Sequence, residues 1–206
     1  MTRVRIHIFV LVALLWLPSL AHAQQPVSYD TLQLRPGDVV RVLVWREEDM
    51  SGEFVVDPGG KVVLPMLGER SVTDRAWSRV KDDLLRAYGE ELRNASIELT
   101  PLRRVFVLGE VTEPGMYDLD PAMSLAGAVA MAGGANMQGD LRRVKVLRNG
   151  TTVLDGVSVE SGLAQVGVQS GDQVLVGRRA WMDRNSTFLV SVLLSLTSIA
   201  VTLAVR

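Results

Sequence analysis

Apolar positions follow a period of two in some stretches of this chain and a helical period in others. Residues 39–45 read as one strand, and residues 54–65 read as strand, turn and strand. Residues 73–93 instead predict a helix that Thr73 is placed to cap, and residues 95–99 predict a short strand. The apolar positions of the helix, at 3-4-4 spacing, are Trp77, Val80, Leu84 and Tyr88.

The stretch 105–135 predicts strand, tight turn, strand and helix in close succession. Residues 105–108 are apolar and end at a glycine. Pro114 presets φ for one central position of a turn, and Gly115 is expected to take the positive φ of a type II turn at the next. Residues 116–119 then return as the second strand.

Helix signals bracket the end of this stretch. Asp120 is predicted as the N-cap and Pro121 as the first helical residue, where a missing N–H costs nothing. Gly133 and Gly134 suit the left-handed conformation that ends a helix. We therefore predict a short helix between these two pairs.

Three more strands are predicted after the helix, over residues 144–148, 151–154 and 174–176. Residues 148–150 form a hairpin turn between the first two. The segment 167–174 echoes residues 33–40, since both place Gly-Asp directly before an apolar strand. We interpret the echo as a common turn-to-strand device.

The first residues have the pattern of a signal peptide. Arg3 and Arg5 give a positive start, residues 6–17 are apolar, and Ala21-His22-Ala23 is a cleavage site of the A-x-A type. The apolar core is too short to span a bilayer comfortably. We predict a cleaved signal peptide over residues 1–23, followed by a linker over residues 24–31.

Composition limits the kinds of functional site that the chain after residue 23 can form. The chain has no cysteine, and both histidines, His7 and His22, lie in the leader. Zinc sites of the Cys/His type, cysteine nucleophiles and the usual histidine base are therefore excluded. The formal net charge of −1 gives no support for nucleic-acid binding. We predict no catalytic, cofactor or metal site, and no enzyme.

Two sets of side chains could in principle act on glycans. Carboxylate pairs could cleave a glycan, but turn positions favour aspartate for backbone reasons. Exposed aromatic rings could stack on sugars, although at these spacings core packing is the expected role. The carboxylates are Asp38, Asp57, Glu69 and Glu110, and the aromatic residues are Trp45, Trp77 and Tyr117.

Five short motifs together resemble the outer-membrane polysaccharide export proteins of Gram-negative bacteria. Their soluble-ligand-binding β-grasp (SLBB) module resembles the first three motifs, and their polysaccharide export domain resembles the last two. The motifs are Gly109-Glu110-Val111, Pro114-Gly115-Met116-Tyr117, Ala132-Gly133-Gly134, Pro36-Gly37-Asp38 and Leu64-Pro65-Met66-Leu67-Gly68. Departures from the family pattern are Pro58-Gly59 in a turn, Ser71-Val72-Thr73 before a helix, and the absence of an acylated cysteine.

The resemblance implies an α+β fold of two small domains, followed by a C-terminal transmembrane helix. The export domain would cover residues 32–101 and the SLBB domain residues 102–178. Residues 185–205 carry no charge and would form a helix about 32 Å long, close to the hydrocarbon thickness of a bilayer. Trp181, Arg184 and Arg206 are predicted at the membrane interface.

Five hydroxyl side chains share one face of that final helix, whereas Thr197 lies off this face. They recur at 4-4-3-4 spacing, which keeps them in one arc at 100° per residue. The stripe could pack on another transmembrane helix, line a water-filled ring of like helices, or belong to a lone anchor. The stripe comprises Thr187, Ser191, Ser195, Ser198 and Thr202, of which the last four are predicted to line a pore.

The resemblance implies transport without covalent chemistry. A homo-oligomeric ring in the outer membrane, facing mostly the periplasm, would export capsular or exopolysaccharide. An inner-membrane polysaccharide co-polymerase is the implied partner. The alternative is a membrane-tethered glycan-binding or adaptor subunit that docks on a separate outer-membrane β-barrel.

Overall fold

The computed structural model describes Tyr29, residues 32–92, residues 96–180 and Ser191. It shows a mixed α/β fold with a seven-stranded sheet in the order β2-β1-β5-β9-β7-β8, in which β6 also pairs with β5, and a separate β3-β4 hairpin. The strands are β1 Val39–Val44, β2 Gly52–Val55, β3 Lys61–Leu64, β4 Gly68–Ser71, β5 Ile97–Gly109, β6 Gly115–Leu119, β7 Gly139–Arg148, β8 Thr151–Asp155 and β9 Gln173–Arg178. The helices are α1 Trp77–Glu91 and α2 Leu125–Met131, with a 3-10 turn at Glu48–Met50.

Strand β5 runs through both halves of the molecule. Its first half pairs with β1, and its second half pairs with β6 and β9. The two separate strands predicted at 95–99 and 105–108 are thus one strand, which passes through Pro101. The Ser96 carbonyl accepts a hydrogen bond from Trp45 N–H. The backbone N–H and C=O groups of even-numbered residues in this part of β5 therefore point towards β1, and the backbone nitrogen of Pro101 points away from it. Its missing N–H therefore breaks no ladder bond.

Two hydrophobic cores lie along this strand. The first lobe comprises β1–β4, α1 and the first half of β5, and its core includes Val40, Val62, Tyr88 and Leu99. The second lobe comprises the second half of β5, β6–β9 and α2, whose core includes Val105. Both cores pack against β5, and the lobes share a continuous backbone ladder because β5 pairs with strands of both lobes.

Helix α1 confirms the 3-4-4 apolar spacing, since Trp77, Val80, Leu84 and Tyr88 are all buried. The predicted limits and cap are wrong. The helix begins at Trp77, its N-cap is Ala76, and no side chain caps it. Thr73 instead donates its hydroxyl to the Gly60 carbonyl at 3.4 Å. It therefore helps to hold the turn between β2 and β3 in place.

The Tyr88 hydroxyl is an unusual feature of this core. It is buried, and no hydrogen-bond partner lies within reach of it in the described part of the chain. Burial raises the pKa of Tyr88. We expect Tyr88→Phe to keep the packing and remove the desolvation cost, so the free energy of unfolding stays unchanged or rises by about 1 kcal/mol in urea denaturation.

Tyr117→Phe is the matched control for that measurement. Its hydroxyl donates to the Glu113 carbonyl at 2.6 Å. Loss of this bond should lower the free energy of unfolding by about 0.5–1.5 kcal/mol. Equal losses in the two variants would show that the Tyr88 hydroxyl has a partner after all.

The predicted strand–turn–strand over residues 54–65 forms with different partners. β2 pairs with β1, and β3 pairs with β4. The Asp57 carboxylate accepts the Lys61 N–H at 2.8 Å and shapes the turn between β2 and β3. The hairpin turn itself lies between Leu64 and Gly68, at the Leu-Pro-x-Leu-Gly motif.

Two local predictions for the second lobe are wrong. Gly115 belongs to β6 without a positive φ, and the reversal uses Gly109 at φ +88°. Helix α2 begins four residues beyond Pro121, and its N-cap is Ser124, whose hydroxyl accepts the Gly127 N–H at 3.1 Å. The Asp120 carboxylate instead accepts the Ala122 N–H at 2.7 Å in the turn before the helix.

Other local predictions for this lobe are confirmed. Gly133 and Gly134 have φ of +74° and +79°, where α2 ends. Strands β7 and β8 form the predicted hairpin, with Asn149 and Gly150 at φ +51° and +76°. These turns hold because each is set by the conformational freedom of its own residues.

Several sequence predictions lie outside the described residues. They are the signal peptide, most of the linker, and the C-terminal helix with Trp181, Arg184, Ser195, Ser198, Thr202 and Arg206. Ser191 is described, and it has a helical backbone and an exposed side chain. Within the described part of the chain, no helix is long and apolar enough to cross a membrane.

Candidate functional site

The boundary between the two lobes is built from a pair of matching turns. In the first, the Asp38 carboxylate accepts the Arg35 N–H at 2.8 Å. In the second, the Asp172 carboxylate accepts the Gln169 N–H, also at 2.8 Å. Gly37 and Gly171, which precede the aspartates, have φ of +88° and +89°. The echo seen in the sequence is therefore the same backbone turn, used twice.

The two turns pack directly against each other. Ser170 donates its hydroxyl to the Asp38 carboxylate at 2.5 Å and accepts the Arg104 N–H at 2.9 Å. A Cβ atom on Gly37 would lie 3.5 Å from the Ser170 Cβ. The start of β1 in the first lobe is thus joined by side-chain and backbone hydrogen bonds to β5 and the start of β9.

Charged side chains, most of them buried, surround this contact. Arg148 binds the Asp172 carboxylate through two hydrogen bonds of 2.8 and 2.7 Å, and Asp172 is only 1% exposed. Arg103 is also buried and donates to the Val168 carbonyl. Burial lowers the pKa of Arg103 and raises the pKa of Asp38, while the hydrogen bond from Ser170 opposes the rise. The charges compensate one another inside the junction.

A further polar contact crosses the boundary between the lobes. Tyr29 donates to the Asp120 carboxylate, with oxygen–oxygen distances of 2.7 and 2.8 Å. Next to the boundary, but within the second lobe, Arg104 binds Asp118 on the neighbouring strand β6 through two bonds of 2.8 Å. The pKa of Asp118 is lowered, mainly by Arg104 and in part by the charge of Arg41 in the first lobe. The contacts across the boundary and the shared strand hold the lobes at one relative angle.

The carboxylates considered for glycan cleavage have structural contacts. Asp38 and Asp57 bind backbone N–H groups of their own turns. Glu69 pairs with Lys61, and Glu110 pairs with Arg178 at 2.8 Å. Over the residues described, no three His, Cys, Asp or Glu side chains are grouped to hold a metal ion.

The three aromatic residues differ in environment. Trp77 is buried, and Tyr117 is partly buried with its hydroxyl bonded to the backbone. Trp45 is 68% exposed, so the expectation of a core role is wrong for it. The alternation of β1 explains why Trp45 is exposed. Arg41 and Leu43 are exposed, and Trp45 follows them at the same two-residue spacing.

Comparison with known proteins agrees with this two-part organisation. Residues 26–100 match the family model described as polysaccharide biosynthesis/export protein, and residues 104–165 match the SLBB domain model. Together the two matches span more than half of the chain.

Two curated relatives resemble the chain over part of their length. The exopolysaccharide production protein ExoF of Rhizobium meliloti (strain 1021) is 29% identical over 105 residues, covering 45% of this chain and 25% of ExoF. The EPS I polysaccharide export outer membrane protein EpsA of Ralstonia solanacearum is 33% identical over 108 residues, covering 47% of this chain and 27% of EpsA. The matched region is thus about a quarter of each relative's length.

Proposed function

Because this chain belongs to the polysaccharide biosynthesis/export family, we propose that it is one subunit of a homo-oligomeric ring that exports capsular or exopolysaccharide across the outer membrane. The ring moves polymer without covalent chemistry and faces mostly the periplasm. An inner-membrane polysaccharide co-polymerase delivers the polymer to it.

The observation that carries this proposal is the fixed junction between the lobes. A closed ring requires every copy to present its contact surfaces at the same angle, because a variable angle gives open assemblies. β5 runs through both lobes, and the Asp38–Ser170 and Tyr29–Asp120 hydrogen bonds cross between them. Such a subunit enters a ring without first losing flexibility between its lobes.

The C-terminal helix, residues 185–205, completes the passage through the membrane in this proposal. A polymer must enter the lumen and also leave it, so the wall needs many weak hydrogen-bonding groups and no tight site. The four pore-lining hydroxyl residues provide that chemistry. Trp181, Arg184 and Arg206 hold the helix ends at the membrane interfaces.

Single cysteines in the otherwise cysteine-free chain test the pore. Ser195→Cys and Ser198→Cys should react from outside the cell with a charged, membrane-impermeant thiol reagent, and the reaction should reduce surface polysaccharide. Leu193→Cys, on the opposite face of the helix at 100° per residue, is the control and should stay unlabelled.

The exposed Trp45 favours a second candidate, a membrane-tethered glycan-binding or adaptor subunit, because an exposed indole can stack on a sugar ring. Protection of both serine positions, together with a monomer by native mass spectrometry, would contradict the ring and favour this adaptor. Labelling of both positions in an oligomer would exclude the adaptor.

A further inference from the structure

One end of the second lobe combines exposed apolar side chains with arginines. Met137, in the loop between α2 and β7, is 94% exposed, and Leu141 near the start of β7 is 40% exposed. Met137 lies in a loop and Leu141 on a strand, and neither side chain belongs to the hydrophobic core of the second lobe. Their exposure points to contact with something outside the lobe.

Arginines from two strands surround these apolar residues. Arg179 is bound to the same loop, with its N–H donating to the Gln138 carbonyl at 2.7 Å and its Nε to the Gly139 carbonyl at 3.0 Å. Arg143 donates to the Arg178 carbonyl at 3.3 Å. The exit surface is formed by Met137, Leu141, Arg142, Arg143, Arg178 and Arg179.

The exit surface carries a net positive charge. Among the described residues, two carboxylates lie beside its four arginines: Glu110 pairs with Arg178 at 2.8 Å, and Asp140 pairs with Arg142 at 3.0 Å. Asp140 is itself buried beneath the surface, whereas the Arg142 side chain reaches into solvent. Arginines near an anionic membrane surface each contribute about 1 kcal/mol of attraction.

The position of the exit surface in the chain determines what it can reach. It includes Arg179, and the next residue, Ala180, is five residues before Asn185 in the sequence. Five extended residues span at most about 17 Å. If residues 185–205 cross a bilayer, the exit surface is therefore held within reach of the lipid headgroups.

We propose that the exit surface rests on a phospholipid membrane, with Met137 and Leu141 inserted among the headgroups and the arginines bound to anionic phosphates. This inference rests on the membrane-spanning helix of the proposed function. A second copy of the same surface is a poorer occupant, because two arginine-rich surfaces repel each other. The second lobe and the C-terminal helix then both orient the subunit relative to the membrane.

Single-cysteine labelling of the full chain in vesicles tests the inference. Met137→Cys and Leu141→Cys, each carrying a small fluorophore, are compared with Val63→Cys, an exposed position on β3 in the first lobe. The vesicles contain phosphatidylethanolamine, phosphatidylglycerol and a lipid with a spin-label quencher near its headgroup. Both exit-surface labels should be quenched about threefold or more over the Val63 label.

The contribution of the arginine charges is tested by changing the lipid charge and the salt concentration. Replacing phosphatidylglycerol with phosphatidylcholine, or raising the salt concentration, should reduce quenching at Met137→Cys while the chain stays inserted. Quenching that is the same in every lipid would overturn the role of the arginines.

The remaining outcomes separate the inference from the proposed function. Exit-surface labels no more quenched than the Val63 label, on a chain that resists extraction by alkaline carbonate, would overturn the inference and leave the membrane helix intact. Extraction of the chain would overturn both. Cross-linking between the Met137→Cys positions of two protomers would identify a second copy as the occupant and overturn lipid contact.

Discussion

Replacing Asp172 with alanine is expected to lower the free energy of unfolding by about 3–5 kcal/mol. The carboxylate is almost fully buried and receives two hydrogen bonds from Arg148 and one from the Gln169 N–H. Its loss removes a negative charge from beside the buried Arg103 cation and from Arg148, whose side chain is partly exposed, and an unpaired buried charge costs far more than an exposed one. Urea denaturation at neutral pH, followed by circular dichroism, measures the change.

Asp155→Ala is the matched control. Asp155 pairs with Lys145 at 2.9 Å on the sheet surface, and both side chains are largely exposed. Exposed ion pairs contribute about 0–1 kcal/mol, so this variant should unfold close to the wild-type midpoint. Similar losses in the two variants would show that burial adds nothing to the contribution of the Asp172 ion pair.

Gly109→Ala is expected to lower the free energy of unfolding by at least about 3 kcal/mol, because conformational strain and a steric clash add together. Gly109 has φ +88°, a region that side chains rarely adopt. A Cβ atom there would lie 2.3 Å from the Val176 carbonyl oxygen. That oxygen accepts the Glu110 N–H at 3.0 Å, so neither strand can move away without losing ladder bonds.

Gly150→Ala separates strain from the clash. Gly150 has φ +76°, and a Cβ atom there meets nothing within 4 Å. We expect a loss of about 1 kcal/mol, the cost of placing alanine at positive φ. Thermal or urea unfolding of the two variants under identical conditions gives the comparison. Equal losses would show that the β5–β9 contact relaxes around an added methyl group.

Local signals in the sequence predicted the features that depend on neighbouring residues alone. The 3-4-4 spacing placed Trp77, Val80, Leu84 and Tyr88 on the buried face of α1, although the helix is shorter than predicted. The Gly133-Gly134 helix end and the Asn149-Gly150 turn formed as expected. Each of these rests on side-chain period or on the freedom of a few backbone angles.

Errors arose where two local signals were equally good. Asp120 and Ser124 are both suitable N-caps, and Asp120 is instead bound by Tyr29 from the other lobe. The strands predicted at 95–99 and 105–108 are one strand, because Pro101 between them lies where β5 has β1 on one edge and no ladder bond is lost. Contacts from distant parts of the chain decided both cases.

In the candidate site too, neighbouring residues specify the turns, and distant contacts decide how the turns are used. The two Gly-Asp turns were visible as an echo in the sequence, yet their contact through Ser170 and Asp38 joins residues 132 positions apart. Nothing local indicated that Arg103 and Arg148 would be drawn into the same junction. The exposure of Met137 and its position beside Arg179 likewise depend on how β7 and β9 pair.

The sequence by itself determined the family motifs, the turn residues and the periodicity of the elements, because these depend on backbone conformation and side-chain size over a few residues. Only the tertiary structure decided which strands pair, which aspartates become buried, and which end of the second lobe presents arginines and Met137 to its surroundings. The physical reason is that burial and charge compensation are properties of groups brought together across the chain, and no local pattern specifies their partners.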